Sequence, residues 1–239
     1  MPFAIWLLLR PEGQKARPDP VTFEPDTAYC DELFGHRYLR DIYLKAKPDY
    51  SGRVSVPVLW DKKNHTIVSN DSAEIMRMID LAFNDRPWFF DKGRAAEIDT
   101  LNEGIQKSVN FGVYRCGFAI DQSTYDQAFD ELFNALDELE RRLDKQNYLL
   151  GDCLTECDWR LFTTLVRFDA VYYIHFKKNL RRIDDYPNLS KYLRVLYRYP
   201  GVAETVNMDY IKSHYYYSHD FINPRRIVPR GPELAFNAS

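Results

Sequence analysis

The feature that most constrains the fold is a change in apolar spacing near residue 85. Beyond "DRPWFFDKG" (85–93), apolar residues recur every three or four positions, which is the period of an amphipathic helix. The longest such run predicts a helix over 123–145 with one apolar face, formed by Tyr125, Phe129, Leu132, Phe133, Leu136, Leu139 and Leu143. Further helices are predicted over 93–110, from "GDCLTECDWRL" onward, and over Leu189–Tyr199. We therefore expect residues 91–220 to be almost wholly helical, with an extended or disordered tail over 223–239.

The first ninety residues show a different pattern. Residues 27–46 predict a helix, and Val54–Trp60 and Thr66–Ser69 predict two strands that the polar segment "DKKNH" joins as an antiparallel hairpin. Ser72–Phe83 predicts an amphipathic helix. Helix, hairpin and helix form half of a thioredoxin-like fold. The predicted fold class is α+β, with a partial thioredoxin-like α/β domain over 1–90 and an all-α domain over 91–239.

Charge and hydropathy exclude several function classes. The net charge of −3 favours neither nucleic acid nor an anionic membrane as a partner. No apolar stretch approaches the roughly 20 residues that span a bilayer. The run "FAIWLLL" near the N-terminus lacks the flanks of a signal peptide, so we expect a cytoplasmic protein. The basic cluster "KKNLRR" (177–182) is interpreted as a solvated helix end.

The four cysteines, Cys30, Cys116, Cys153 and Cys157, are too few and too scattered for a disulfide framework. We interpret them as reduced thiols that pack as small apolar groups. His214 and His219 have no third ligand at a suitable spacing, so no metal site is predicted.

The hairpin and the helix after it contain two unusual features. Pro57 lies in a predicted strand although proline cannot donate a hydrogen bond to a strand ladder. The Asn-Asp-Ser triplet at 70–72 has more helix-capping groups than one helix needs. Both features indicate a backbone that faces a ligand. Two simpler interpretations stay open, namely that Pro57 marks an edge strand and that Ser72 is only an N-cap.

A second capping pattern has a structural explanation. Thr155 and Asp158 in "LTECD" have the spacing of a capping box, in which each side chain accepts a hydrogen bond from the other residue's backbone N–H. We assign this pair to folding and not to catalysis.

Four segments, in this order, resemble the glutathionyl-hydroquinone reductases, the xi class of the glutathione transferase superfamily. They are "GRVSVPVLWDKKNHTIVSNDSAEI", "NFGVYRCGFA", "LTECDWRLFTTLVRFDAVYYIHFK" and "YPGVAETVNMDYIKSHYYYSH" with the following "INP". The similarity extends from about residue 22 to about residue 230. It implies a glutathione transferase helical domain after residue 90, glutathione as co-substrate, aromatic quinol conjugates as substrates, and a homodimer formed through the helical domain.

The resemblance implies a role for the hairpin and the next helix. Pro57 would be cis and would expose the backbone of Val56 to the cysteinyl part of glutathione. Asp71 and Ser72 would bind the γ-glutamyl ammonium and carboxylate, and free N–H groups at a helix start suit such a carboxylate. Where the family has Glu-Ser, this chain has Asp-Ser, which is one methylene shorter.

The resemblance also implies a substrate pocket of tyrosines. Tyr114, Tyr172 and Tyr215 match family positions whose hydroxyls face the bound quinol, and such a hydroxyl can hydrogen-bond a quinol oxygen. Core packing is the alternative interpretation for each of them.

The chain departs from the family at its start. Family members carry Cys-Pro-Trp-Ala-His-Arg, whose thiolate attacks the sulfur of a glutathionyl-hydroquinone, and a second glutathione resolves the mixed disulfide. Here "MPFAIW" has Met1 at the position of that cysteine, so no catalytic residue is assigned. We therefore expect negligible reductase activity from the 239-residue chain, and an inactive binding or dimer-scaffold protein is the alternative function.

Overall fold

The structure, a computed structural model, describes residue 31 and residues 33–36, 38–83, 88–234 and 236. The chain divides into two compact parts, Met1–Pro87 and Trp88–Ser239, which we call unit 1 and unit 2.

Unit 1 contains two helices and a small sheet. Helix α1 (Leu39–Ala46) precedes strands β1 (Leu59–Asp61) and β2 (Thr66–Ser69), and helix α2 (Ser72–Phe83) follows them. The strands pair antiparallel, which confirms the predicted hairpin, and α2 has the predicted bounds. The core of the unit is one face of α1, where the spacing of three and four residues brings together the buried side chains Leu39, Ile42 and Tyr43.

The helix predicted over 27–46 is shorter than expected, because its described part is helical only from Leu39. The carboxylate of Asp31 accepts hydrogen bonds of 3.0–3.1 Å from three backbone N–H groups within the next five residues. Gly35 then adopts a left-handed φ of +68°. Side-chain bonds of this kind offer the backbone an alternative to helical hydrogen bonds, which explains why the prediction was wrong here.

The first predicted strand, Val54–Trp60, is also shorter, because pairing begins only at Leu59. The Tyr43 hydroxyl donates to the Ser55 carbonyl at 2.8 Å and accepts the Ser55 N–H at 3.3 Å. Pro57 has no N–H to donate. Within the described part of the chain, the Tyr43 side chain therefore holds the backbone at Ser55, and no strand pairs with 54–58.

Unit 2 is helical, as predicted for residues 91–220. Its α-helices are α3 (Ala95–Ile105), α4 (Gly112–Gly117), α5 (Gln122–Leu143), α6 (Glu156–Arg167), α7 (Tyr173–His175), α8 (Pro187–Tyr197) and α9 (Met208–Ser218). Short 3₁₀ turns cover Lys92–Arg94, Ile183–Asp185 and Ala203–Thr205. In the described part of this unit, the β pairing is limited to an isolated bridge between Tyr148 and Gly151. No helix of the described residues is long and apolar enough to cross a bilayer.

Two segments of unit 2 are π-helical. Gln106–Asn110 joins α3 to α4, and Phe168–Tyr172 joins α6 to α7. In each, a backbone N–H donates to the carbonyl five residues earlier, as from Phe111 to Gln106 at 2.8 Å. Such turns are rare, and they occur frequently at functional sites.

The predicted capping box at the start of α6 is confirmed, and Asp158 does more than cap the helix. Its side chain is fully buried, and its carboxylate accepts from the Thr155 N–H at 2.7 Å and the Thr155 hydroxyl at 2.9 Å. It also accepts from the Leu149 N–H at 2.9 Å and the Tyr192 hydroxyl at 2.8 Å. This carboxylate therefore joins α6 to the preceding loop and to α8.

The segment 177–182, predicted as a solvated helix end, contains a fully buried lysine. Lys178 donates from Nζ to the carbonyl of Phe176 at 3.2 Å, and its ammonium lies 5.9 Å from the centroid of the Tyr125 ring. Burial lowers the pKa of Lys178 to about 8. The prediction was wrong for this residue because charge in a sequence does not reveal burial.

The C-terminal segment after α9 has no regular structure over 223–234, as expected for an extended tail. It is nevertheless packed: Nζ of Lys212 donates to the carbonyls of Arg230 at 2.8 Å and Gly231 at 3.0 Å. Phe236 is buried against Tyr197. The disorder considered for this segment is therefore wrong for its described residues.

Candidate functional site

The start of α2 presents one of the two groups of predicted site residues. Asp71 caps the helix, since its Oδ1 accepts the Glu74 N–H at 2.8 Å. Ser72 is the first helical residue, and its side chain is exposed. No hydrogen bond of the Ser72 hydroxyl is found within the described part of the chain. The interpretation of Ser72 as the N-cap was therefore wrong, because Asp71 caps the helix.

The segment around Pro57 is fixed to the same region of unit 1. The Val56–Pro57 peptide bond is cis. Asn70, which directly precedes Asp71, donates from Nδ2 to the Ser55 hydroxyl at 2.9 Å and to the Tyr43 hydroxyl at 3.1 Å.

Sequence reasoning did not assign roles to Tyr43, Ser55 and Asn70, although the surplus of capping groups at 70–72 was noted. The surplus has an explanation: Asn70 does not cap α2 but ties the backbone before Val56 to the segment that leads into the helix. The surplus of capping residues before α2 is thus the sequence signal that could have indicated this contact between Asn70 and Ser55.

The three predicted pocket residues of unit 2 come together, and we call them the tyrosine cluster: Tyr114, Tyr172 and Tyr215. The hydroxyl oxygens of Tyr114 and Tyr215 are 2.5 Å apart. Those of Tyr172 and Tyr215 are 2.9 Å apart, and those of Tyr114 and Tyr172 are 3.5 Å apart. These residues are 43 to 101 positions apart in the sequence, so only the tertiary fold assembles the cluster.

The three hydroxyls differ in exposure. Tyr172 and Tyr215 are buried, whereas Tyr114 is half-buried. Burial raises the pKa of Tyr172 well above its ordinary value, and burial together with the neighbouring Tyr114 raises the pKa of Tyr215. Both groups therefore remain protonated at neutral pH and act as neutral hydrogen-bond donors, not as bases.

Aromatic rings surround the cluster. The Tyr172 ring stacks on Phe176, with centroids 5.5 Å apart, and Phe176 in turn lies edge-on to Phe118. Phe176 fills the space beside Gly117 so closely that a Cβ at Gly117 would lie 2.3 Å from the Phe176 ring. Glycine is thus required at 117 to let α4 and its Tyr114 approach the segment that carries Tyr172.

Two histidines, His175 and His219, border this aromatic region. From the sequence, His219 was considered only as a metal ligand, and His175 was not considered. Nε2 of His175 and Nδ1 of His219 are 3.1 Å apart, and the His219 ring contacts Tyr215. Burial lowers the pKa of His175 to about 4. Among the residues that the structure describes, no group of three or more His, Cys, Asp or Glu side chains is arranged to hold a metal ion.

Two of the three described cysteines are buried thiols. Cys116 is buried, and its Sγ donates to the Tyr125 carbonyl at 3.7 Å. Burial raises the pKa of Cys116 and raises that of the buried Cys157 to about 11. Cys153 is exposed in unit 2. Cys30, Met1 and the apolar run Phe3–Leu9 lie outside the described residues.

The sequence of unit 2 matches a known protein class. A family profile described as the glutathione S-transferase C-terminal domain matches residues 122–194, which extend from the start of α5 into α8. The cluster-bearing unit is therefore a glutathione transferase helical domain.

Two curated relatives and two solved structures narrow the class. The glutathionyl-hydroquinone reductase YqjG of Escherichia coli is 52% identical over 84% of this chain and 63% of the relative. The glutathionyl-hydroquinone reductase PcpF of Sphingobium chlorophenolicum is 48% identical over 88% of this chain and 69% of the relative. The glutathione-bound structure of YqjG superposes with a TM-score of 0.85 at 50% identity, over 87% of this chain and 69% of that one.

A xi-class glutathione transferase from Natrialba magadii superposes with a TM-score of 0.86 at 47% identity, over 91% of this chain and 68% of that one. The chain belongs to the glutathionyl-hydroquinone reductase family, the xi class of the glutathione transferases. It spans 63% of the length of the Escherichia coli relative.

Proposed function

We propose that this protein takes part in the glutathione-dependent reduction of glutathionyl-hydroquinones. The observation that carries the proposal is the convergence of the Tyr114, Tyr172 and Tyr215 hydroxyls in an aromatic surrounding. Both curated relatives named above are glutathionyl-hydroquinone reductases. A pocket with flat aromatic walls and hydroxyl donors suits a ring that carries two oxygens.

The reaction balances as follows. A glutathionyl-hydroquinone and one glutathione give a free hydroquinone and glutathione disulfide: the carbon–sulfur bond breaks, a sulfur–sulfur bond forms, and the ring carbon gains a hydrogen. The electron pair of the broken bond stays with the ring as a thiolate attacks the sulfur. Neutral tyrosine donors at the quinol oxygens stabilise the negative charge that develops on the ring.

We further propose that unit 1 is a glutathione-binding domain whose site includes Val56, Pro57, Asp71 and Ser72. Support comes from the exposed start of α2, where unpaired N–H groups and the helix dipole favour a carboxylate. Oδ1 of Asp71 is engaged in capping, which leaves Oδ2 to accept the ammonium group of a ligand. The solved structure of the Escherichia coli relative contains glutathione.

The experiment compares Tyr114→Phe with Tyr173→Phe, a matched control that removes a hydroxyl for which the described residues offer no hydrogen-bond partner. Calorimetry measures the binding of a glutathionyl-hydroquinone to each variant, and a coupled assay measures glutathione disulfide. Loss of one neutral hydrogen bond weakens binding about three- to tenfold. Equal binding by the Tyr114→Phe variant and the wild type would refute the role of the cluster.

A second candidate function is a binding or dimer-scaffold protein without reductase activity. The specific observation in its favour is that Cys116 and Cys157 are buried thiols with raised pKa values, and the thiolate is the reactive form. The assay separates the two functions: binding of the conjugate without release of hydroquinone supports the scaffold. Turnover that is lost on Cys116→Ser would instead identify Cys116 as the nucleophile.

We propose that the protein forms a homodimer through unit 2. The segment 170–176, expected to supply apolar anchors, lies mostly in the unit's own core, but Ile174 is 53% exposed. Burial of the Ile174 side chain against a second copy would remove apolar surface from water, which favours association. Sedimentation velocity at micromolar concentration tests the proposal, with a dimer expected and a clean monomer contradicting it.

A further inference from the structure

The two π-helical segments of unit 2 lie directly before, or contain, a residue of the tyrosine cluster. Gln106–Asn110 ends four residues before Tyr114, and Phe168–Tyr172 ends on Tyr172 itself. Tyr114 and Tyr172 thus depend on irregular helical turns for their direction. The hydrogen bonds that fix these turns therefore affect the positions of the Tyr114 and Tyr172 hydroxyls.

A polar pair connects the two helical stretches. Thr164 on α6 donates from its hydroxyl to Oδ1 of Asn110 at 2.6 Å, and Thr164 is buried. Nδ2 of Asn110 donates to Oε1 of Gln106 at 3.1 Å and to the carbonyl of Arg160 at 3.3 Å. One asparagine side chain thereby bonds the first residue of its own π turn and two points of α6.

The pair lies beside the buried core of unit 2, with Thr164 buried and Asn110 half-buried. Residues on either side of it belong to the buried core of unit 2: Ile105, Val109, Val113, Leu161 and Leu165. Apolar contacts alone tolerate small shifts between helices, whereas a partly buried hydrogen bond between two side chains is satisfied in one register only. The pair therefore adds directional precision to this interface more than it adds stability.

We propose that Asn110 and Thr164 are positioning residues of the hydroquinone subsite, which rests on the proposed function. Their hydrogen bond fixes the helical stretch that carries Tyr114 against the one that carries Tyr172. The hydroxyls of those tyrosines are 3.5 Å apart, and both reach the Tyr215 hydroxyl. Hydrogen-bond distances vary by only a few tenths of an ångström, so a small shift between the helices breaks the cluster.

The test is a double-mutant cycle of Thr164→Val, Asn110→Leu and the combined variant. Thr164→Val leaves Oδ1 of Asn110 without its donor, so it lowers stability, whereas the combined variant removes both partners and regains much of it. If the pair positions the cluster, affinity for a glutathionyl-hydroquinone falls roughly three- to tenfold in all three variants, as for the loss of one hydrogen bond. Affinity for glutathione itself stays unchanged.

Two further variants serve as controls. Thr164→Ser keeps the hydroxyl and restores the affinity. Thr100→Val removes an exposed hydroxyl that bonds only within α3, to the carbonyl of Ala96, and leaves the affinity unchanged. A combined variant that regains affinity together with stability would overturn the proposal, because the pair would then be structural only.

Crystal structures provide a readout that needs no substrate, namely the distance between the Tyr114 and Tyr172 hydroxyls. The variant to crystallise is Thr164→Val. If valine prevents folding, Thr164→Ser and Asn110→Leu take its place. The Tyr114 and Tyr172 hydroxyls are expected to separate in the valine and leucine variants and to keep their distance in the serine variant. Unchanged distances in all variants would overturn the proposal. If the wild type binds no glutathionyl-hydroquinone, the proposed function fails, but these distances still test the positioning role.

Discussion

The start of α2 and the tyrosine cluster present their polar groups in opposite ways. At α2, the groups are neighbours in sequence, Asp71 and Ser72, and the Ser72 hydroxyl is exposed with no partner among the described residues. In the cluster, the hydroxyls come from three distant segments and mostly satisfy each other. A ligand at α2 adds hydrogen bonds to free groups, whereas a ligand at the cluster must compete with existing ones.

This difference predicts how each region responds to change. Substitutions at α2 are expected to alter binding with little effect on folding. Substitutions in the buried polar networks of unit 2 are expected to alter folding first, because buried groups that lose a partner are costly.

The largest expected effect separates two helix-capping aspartates. Asp158→Ala leaves the buried donors of Thr155, Leu149 and Tyr192 unpaired, and we expect a loss of about 4 kcal/mol in the free energy of unfolding. Asp71→Ala removes one exposed cap and costs about 1 kcal/mol. Urea denaturation of both variants measures the difference. Similar losses would show that the two caps are equivalent and that burial does not separate the regions.

The second effect concerns pH. The pKa of His175 is lowered by burial from 6.5 to about 4, so between these values the unfolded chain binds the proton and the folded chain does not. Stability from His175 therefore falls as pH falls, by up to about 3 kcal/mol.

Burial raises the pKa of Asp169 from 3.8 to about 6, although its carboxylate accepts the Ile183 N–H. Its contribution has the opposite sign, since stability rises as pH falls from 6 to 3.8.

The two contributions largely cancel in the wild type, so single variants are needed to see them. Relative to the wild type, His175→Gln is expected to gain stability as pH falls from 6 toward 4, and Asp169→Asn is expected to lose it. Denaturation curves at several pH values across this range give, for each variant, the slope of the free energy of unfolding against pH. Slopes with the same sign in both variants would contradict the assignment.

The third effect sharpens the comparison at α2. Ser72→Ala is expected to weaken glutathione binding about ten- to a hundredfold, the effect of one hydrogen bond to a charged group, about 1.5–3 kcal/mol. Its free energy of unfolding should not change, because within the described residues the hydroxyl forms no hydrogen bond. Calorimetry tests the expected loss of glutathione binding, and denaturation tests the expected unchanged free energy of unfolding. Unchanged glutathione binding would remove Ser72 from the site.

The smallest effect is expected at Asn70. Asn70→Ala removes two hydrogen bonds at an exposed side chain, to Ser55 and Tyr43, and we expect a loss of about 1 kcal/mol in unfolding free energy. A modest weakening of glutathione binding should accompany it, because the backbone before Val56 is less well fixed. Asn64→Ala, which removes a bond from the exposed hairpin turn to Asp61, is a control for binding. A larger binding loss in the control would exclude this role for Asn70.

Regular periodicity predicted much of the fold. The bounds of α2 and α5 and the box at Thr155–Asp158 follow from apolar spacing and capping residues, which act over short sequence distances. The turn at Asp31 was missed because one side chain there replaces helical bonds. The buried Lys178 was missed because its burial depends on distant segments of the chain, such as the one that carries Tyr125.

The two parts of the candidate site also differ in how far local sequence patterns predict them. Asp71 and Ser72 stand out in the sequence because capping residues adjoin a helix start. The tyrosines at 114, 172 and 215 do not stand out among seventeen tyrosines, and the resemblance to a family singled them out. Their mutual distances depend on α4, the π turn at 168–172 and α9, which no local pattern predicts.

The π turns have a consequence for how this chain tolerates insertions and deletions. Each residue of an α-helix rotates the chain by about 100°, and a π turn holds one residue more than an α turn. Removing one residue from 106–110 would let the stretch become a regular α-helix, and Tyr114 would keep nearly the same direction, because a π turn and an α turn each make about one full rotation. A deletion elsewhere in α3 that keeps the π turn would instead rotate the residues before it by about 100° relative to Tyr114, so 106–110 is the part of this stretch that best tolerates the loss of a residue other than Asn110.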